Sequence, residues 1–323
     1  MRVTQGMIIN TFKHDLNYNL RRLARYQHQL ATEKRISRPS DDPVAIVNAL
    51  RLRSDLADIE TFSANVDHAL SWLGSTEDAL LYAGDIFQRA SELAVTGASG
   101  TNPEDALDAI ADEVDQLLEH IIQIANSSQA GQYLFGGTKT RATDAEAAYK
   151  PFELKEKEEN DNEESFSQRY VQYNGNDEKR ATEIGVGINF TYNVTGAEAF
   201  GMKKNEQDDS WSSIVFDSLI ELSDHLRQGK TDEISNFTIG KLQEALDHLV
   251  AQRTEIGAKV NRLENTQARL ESANINFTNL LSKTEDLDIA ETIVHLKAQE
   301  NVYRAALATG ARIIQPTLID FLR

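Results

Sequence analysis

Seven histidines (His14, His28, His68, His120, His225, His248, His295) and 51 Asp+Glu are the side chains best suited to chemistry, and cysteine is absent. Without thiols there is no disulfide framework, no thiolate zinc site and no cysteine nucleophile. The histidines form no ligand-spaced cluster of the kind that holds a metal. Gly185-Val186-Gly187 precedes no helix start and lacks the third glycine of a nucleotide loop, so it reads as strand or turn geometry. The acidic pairs Asp41/Asp42 and Glu163/Glu164 are sequence neighbours in caps or loops, where capping and solvated charge account for them better than acid–base catalysis. No nucleophile–histidine–acid pattern stands out. Asn126-Ser127-Ser128, Asn193-Val194-Thr195, Asn236-Phe237-Thr238 and Asn276-Phe277-Thr278 match a glycan acceptor, a pattern too short to decide anything. The expectation is a chain that is not an enzyme and holds no metal or cofactor.

Charge narrows the partners. A net charge of −18 argues against nucleic acid, whose phosphates need a basic face. The charge is uneven: residues 1–60 hold ten Lys+Arg against seven Asp+Glu, and the excess acid lies further along. No stretch is apolar over the roughly 18 residues of a membrane span, so no membrane partner is expected. Met1 to Phe12 lacks the apolar core and small-residue cleavage site of a secretory leader. If the protein is exported, an apparatus that reads an uncleaved N-terminus is expected.

What remains is apolar adhesion between helices, and the spacing shows where. Residues 4–34 read as one helix with Ile9, Leu16, Leu23 and Leu30 seven apart and Phe12 and Leu20 in the alternate row. Two prolines and several capping residues break the chain at 35–43; Asp42 suits an N-cap and Pro43 the first helical position. The next helix carries Leu52, Ile59, Val66, Leu73, Leu80, Phe87 and Ala94 in strict heptads, with Gly74 a possible kink. A third follows Pro103 (Leu107, Ile110, Val114, Leu117, Ile121, Ile124). From Gly131 the texture turns β-like: Gln132 to Gly137 reads as a strand and turn, Asn174-Gly175 after Tyr170–Tyr173 as a hairpin turn, and 185–194 as a strand. The acidic run Glu156 to Glu164 reads as a solvated loop. Helices resume at Trp211. Leu242, Leu249, Ile256, Leu263, Leu270 and Phe277 form a second heptad row. The last segment opens on acidic Glu285, Asp286 and Asp288, favourable at a helix N-terminus, and Pro316 should end or kink it.

The fold class expected is mainly α: a long antiparallel coiled-coil rod with a small inserted β-rich domain and terminal helices that stay disordered until assembled. The divisions are 1–42 (assembly helix and elbow), 43–140 and 209–284 (the two halves of the rod), 141–208 (β-rich domain) and 285–323 (C-terminal assembly helix). The terminal segments each have an apolar stripe and little else to pack on, and an isolated helix of that length is marginal in water. They are expected to fold on meeting other copies. The assembly residues named by spacing are Ile9, Leu16, Leu23, Leu30, Ile289, Ile293, Leu296, Tyr303 and Leu307; the elbow and cap residues are Arg35, Asp41, Asp42 and Pro43.

These segments also resemble a known family. Arg35-Ile36-Ser37 through Asp41-Asp42-Pro43, Asn65 to Leu73, Ala79-Leu80, Leu93-Ala94-Val95, and Glu285-Asp286-Leu287-Asp288-Ile289-Ala290 through Leu307 are similar to the flagellin superfamily. Ala130 to Thr140, Tyr173-Asn174-Gly175-Asn176 and Gly196 to Gly201 resemble its hook-associated protein 3 branch. The resemblance implies a structural adaptor at the bacterial flagellar hook–filament junction. It would sit outside the cell, exported by the flagellar type III apparatus. Its implied partners are other copies of itself, a neighbouring hook-associated protein, flagellin, and a cytoplasmic export chaperone holding the C-terminal region. Two alternatives stand beside this: a filament-forming flagellin, and a cytosolic coiled-coil binding module.

Overall fold

The computed structural model describes residues 5–100, 102–140, 150–157, 168–204 and 211–313. It falls into two compact units, Met1–Glu60 with Ser272–Arg323 (unit 1) and Thr61–Glu271 (unit 2). Helices α1 (Gln5–Thr32), α2 (Pro43–Gly97) and α3 (Glu104–Ala125) come first. Then follow β1 (Ser128–Gln129), β2 (Gln132–Tyr133), β3 (Phe152–Lys157), β4 (Gln168–Tyr173), β5 (Ala181–Gly185), β6 (Ile188–Thr191), a short α4 (Gly196–Phe200), β7 (Met202–Lys204) and β8 (Trp211–Ser213). The chain closes with α5 (Ile214–Arg227), one turn of α6 (Thr231–Glu233), a π-helical turn Ile234–Thr238, α7 (Ile239–Glu285) and α8 (Ile289–Ile313).

Unit 2 holds the core. The heptad residues Val66, Leu73, Leu80, Phe87 and Ala94 of α2 are all fully buried, as are Leu242, Leu249, Ile256 and Leu263 of α7. A 3.5-residue repeat keeps one stripe on one side of a helix, which is why spacing alone found both rows. Gln267 lies in the alternate row of α7, with Leu246 and Val260, and its amide donates to Asp67 on α2 (2.7 Å). The helix does not stop and restart at Gly74: α2 is continuous from Pro43 to Gly97. A helical glycine costs about 1 kcal/mol, less than is gained by burying its neighbours Leu73 and Leu80.

Helix α3 packs on α5, and an ion network ties β4 to both. Arg169 of β4 donates to Asp115 (2.8 Å) and Asp224 (2.7 Å), and Arg227 donates to Asp112 (2.7 Å) and Asp115 (2.8 Å). Burial works to raise the Asp115 carboxyl, but bonds from Ser223, Arg227 and Arg169 outweigh it and hold it below the usual aspartate range.

The strands form four separate antiparallel pairs, β1–β2, β3–β4, β5–β6 and β7–β8. Two local expectations are corrected. Asn174-Gly175 is not a hairpin turn: β4 pairs with the upstream β3, from Phe152 opposite Tyr173 to Lys157 opposite Gln168. Gly175 is there because a side chain would overlap the Tyr173 ring. Residues 185–194 are not one strand either. They turn at Val186-Gly187, where Gly187 has φ +70°, a conformation glycine adopts without strain. The expected stop at Pro316 and the part of the acidic run after Lys157 lie outside the described residues.

Candidate assembly surface

In unit 1 the elbow is built around a buried carboxylate. Glu33 ends α1 in the left-handed region (φ 57°), and the chain turns back along the end of α7. Arg35 N–H donates to the Glu285 carbonyl (2.7 Å), its guanidinium to the Thr284 carbonyl (2.8 Å), and Leu287 N–H to the Glu33 carbonyl (3.1 Å). Gln29, itself buried, donates to the Arg35 carbonyl (2.8 Å). Asp41 accepts from Arg38 N–H (3.1 Å), and Asp42 Oδ1 accepts from Val44 and Ala45 N–H (3.1 and 3.0 Å). That is the N-cap expected of Asp42, and Pro43 is the first residue of α2. Asp41 also lies 3.8 Å from the Arg25 guanidinium.

Glu285 corrects the sequence reading. It does not open the last helix. It is the final residue of α7, and Asp288 caps α8 by accepting from Glu291 N–H (3.1 Å). An acid at a helix C-terminus opposes the helix dipole. Here it is offset by Lys34 Nζ (2.5 Å) and the Arg53 guanidinium, which hold a side chain only 3% exposed. Lys34, Arg53 and Glu285 lie far apart in sequence with no shared periodicity, so spacing could not have joined them.

Helices α1 and α8 run antiparallel. Their contacts pair Phe12 with Gly310, Asn19 with Gln299 (3.0 Å), and Tyr26 with His295 (stacked, 5.9 Å). Gly310 is specific to the seam, because any Cβ there would overlap the Phe12 ring. On α1 the half-buried positions are Ile9, Phe12, Leu16, Asn19, Leu23, Tyr26 and Leu30. On α8 the buried or half-buried ones include Thr292, Leu296, Gln299, Tyr303, Ala306 and Gly310. The α8 side of the seam is therefore largely polar and small.

The nine residues picked by spacing thus divide. Ile9, Leu16, Leu23, Leu30, Leu296 and Tyr303 are half-buried, while Ile289, Ile293 and Leu307 stand exposed. Val294 and Val302, not singled out by the heptads, join the exposed face, and Met7, Ile8, Tyr18 and Leu20 are exposed on α1. In unit 1 as a whole, Val44, Val47, Leu50, Ile275 and Leu280 are exposed as well. Fourteen of the 23 exposed large apolar residues described belong to unit 1, which buries only Ile36, Ala49 and Ile59 among its apolar side chains. Unit 1 carries its apolar surface outside.

The same segments match known proteins. The family model for the bacterial flagellin N-terminal helical region matches residues 3–140, and that for the bacterial flagellin C-terminal helical region matches 239–322. The chain belongs to the flagellin family. Its relatives include a flagellin from Clostridium tyrobutyricum, 22% identical over 98% of this chain and 100% of the relative. Flagellar hook-associated protein 3 of Escherichia coli is 24% identical over 87% of each chain. Among solved structures, the flagellar junction protein FlgL from Legionella pneumophila shares the fold, with a TM-score of 0.55 at 17% identity over 75% of this chain and 100% of that one. As a flagellin-family chain the protein is a structural component of the flagellum, the organelle of motility.

The three stretches that resemble the hook-associated branch meet in unit 2. Tyr173 donates to the Phe135 carbonyl (2.9 Å), and Gly196 N–H donates to it too (3.0 Å). Asn176 and Thr138 exchange two bonds, Thr138 N–H to Asn176 Oδ1 (2.8 Å) and Asn176 Nδ2 to Thr138 Oγ1 (2.6 Å). Phe135, Phe152, Phe200 and Phe216 stack around this knot with centroids 5.1–5.6 Å apart. It fastens residues from the 141–238 interval, outside both family matches, to the flagellin N-terminal region.

Among the described residues no group of three His, Asp or Glu is placed to hold a metal ion, and no helix is long and apolar enough to cross a membrane.

Proposed function

We propose that this chain is an adaptor subunit that joins hook-side proteins to the flagellin filament, and that unit 1 is its polymer-forming part. The observation that carries the reading is the inverted distribution of unit 1: among its described residues, three apolar side chains are buried and fourteen large ones exposed. Such a surface is stable in water only when covered. The occupants are the terminal helices of neighbouring copies, with a neighbouring hook-associated protein on one side and flagellin on the other. In the free chain α1 and α8 are marginal, since the seam only half-buries its apolar residues and its α8 side is largely polar and small, which does little to offset the cost of ordering two long helices. They become rigid on assembly. Export would proceed through the flagellar apparatus, with a cytoplasmic chaperone on the C-terminal region, and the protein would function outside the cell.

Electron microscopy of a strain lacking the chain tests this. Hooks without filaments, with monomeric flagellin shed into the medium, are expected; normal filaments overturn the adaptor reading. A filament-forming flagellin is the second reading, favoured by the end-to-end alignment with the Clostridium tyrobutyricum flagellin. Seeded polymerisation separates the two: a filament protein grows long fibres on a seed, and the adaptor stops after a short zone.

A further inference from the structure

The charge of the chain is divided as sharply as its apolar surface. Unit 1 holds 15 Lys+Arg against 13 Asp+Glu, whereas unit 2 holds 18 against 38, a net charge of −20. Copies standing side by side, as the proposed function requires, would bring like-charged units together. The described residues of unit 2 nonetheless form a cationic recess. The β5–β6 hairpin and α7 enclose an open groove of about 570 Å³ lined by Ile184, Ile188, Arg262, Asn265, Thr266 and Arg269, with no carboxylate in its lining. Neither arginine has a carboxylate within ion-pair distance among the described residues. Arg262 is steadied by the Phe190 ring, 5.3 Å from its guanidinium carbon. Glu183, on the same hairpin, is engaged elsewhere and accepts from Gly187 N–H (2.9 Å). The hairpin tip adds an apolar rim, with Val186 85% and Ile188 40% exposed.

We propose that this groove receives carboxylate side chains from unit 2 of a neighbouring copy. The inference rests on the assembly reading above and adds to it a lateral contact that the terminal helices do not make. Arginine forks bind carboxylates in two parallel hydrogen bonds, and they do so best where apolar neighbours thin out the water. Arg262 and Arg269 are seven residues apart on α7, which places them on one face about 10 Å from each other at 1.5 Å per residue. That separation fits two acidic side chains on one segment better than a single small anion. Charge complementarity names the donor: the surface of unit 2 itself, rich in Asp and Glu, is the acidic partner that stands beside this groove in every assembled neighbour.

The test has two arms. Fluorescence anisotropy with labelled hexaglutamate is measured on the full chain at low salt, below the concentration at which it assembles. The wild type is expected to bind. Arg262→Glu with Arg269→Glu should bind roughly tenfold more weakly or worse, the loss of at least one charge-assisted pair, while Lys155→Glu leaves binding unchanged. In the second arm the double Arg262→Lys, Arg269→Lys chain is assembled from isotopically light and heavy copies. It is then treated with carbodiimide, which condenses a lysine amine with a carboxylate and carries off the water as a urea. Mixed-isotope crosslinks from the introduced lysines to unit 2 acids support the contact. Hexaglutamate binding that ignores the charge reversal overturns it, as does competition by inorganic sulfate as effective as hexaglutamate. Crosslinks confined to single copies overturn it too. If the chain binds hexaglutamate through the groove yet never assembles, the polymer reading fails and the groove's chemistry survives.

Discussion

Leu307→Asp separates the fold of unit 1 from its association. Leu307 is 44% exposed on α8, turned away from the row that meets α1, so in the free chain the change costs only a helix-propensity difference of about 0.5 kcal/mol. In the polymer the exposed part is covered. Burying a whole leucine is worth about 1.5–3 kcal/mol, so covering the 44% that remains contributes about 1 kcal/mol. An aspartate in that place must be protonated at pH 7 or left charged without water; raising its pKa by about three units costs about 4 kcal/mol. Together these come to about 5 kcal/mol per subunit, and since each 1.4 kcal/mol is a factor of ten, the critical concentration rises by roughly 4,000-fold. Sedimentation of seeded assemblies across a concentration series reads this directly, and far-ultraviolet circular dichroism checks that the free chain is unchanged. Leu296→Asp serves as contrast: Leu296 is half-buried in the α1–α8 seam, so it disturbs the pair itself. A Leu307→Asp chain that assembles within threefold of the wild-type concentration would refute the claim that this face is covered in the polymer.

Four other outcomes follow from the same geometry. Glu285→Ala leaves Lys34 and Arg53 facing each other without their anion; a loss of about 3 kcal/mol is expected, the low end for a buried pair because both cations keep contact with water. It should expose the Lys34 and Arg35 bonds to trypsin in assembled material, and an unchanged digestion pattern would contradict this. Gly310→Ala puts a methyl group into the Phe12 ring and should weaken assembly, with Phe12→Ala added in the same chain restoring part of it; a neutral Gly310→Ala would argue against this seam. Asp115→Asn should destabilise unit 2 at neutral pH by about 1.5–3 kcal/mol, the worth of hydrogen bonds to a charged group. Because the native carboxyl titrates below its ordinary value, that stability is present above about pH 4 and disappears as pH falls through the lowered native value, so urea midpoints of variant and wild type should converge in acid. Hydrogen exchange should find residues 5–30 and 289–313 poorly protected in the free chain and well protected after assembly; strong protection in the monomer would sink the folding-on-assembly reading.

How much of this was readable beforehand depended on whether a residue's role repeats along the chain. The rows through Leu73 and Leu80 and through Leu249 and Ile256 are periodic because a helix presents the same side at every heptad, and the structure buries their middle members while the ends, Leu52 and Phe277, are half-buried. Asp42 was legible because an N-cap is local, needing only its own side chain and the next turn's N–H groups. Glu285 was misplaced because an acid beside a helix start and one at a helix end look alike until Lys34 and Arg53 are seen to converge on it. The terminal heptads were found, but not which leucines face the partner helix. That depends on α8 meeting α1 with Thr292, Gln299 and Gly310, residues a search for apolar stripes passes over. The Arg169 network and the pairing of β3 with β4 join segments distant in sequence, where neither period nor turn chemistry reaches.

The β3–β4 hairpin has ends that meet. The chain enters it at Phe152, held by two hydrogen bonds to the Asn126 side chain (2.9 Å each), and leaves it at Tyr173, directly opposite Phe152 with the rings 5.1 Å apart. What lies between begins and finishes at one anchored doorway. Closing a longer excursion through a fixed doorway costs only about 0.6 kcal/mol per doubling of its length. An exchange made beyond Lys157 and Gln168, which leaves Arg169 and its bonds to Asp115 and Asp224 in place, is therefore expected to leave the helices beneath packed.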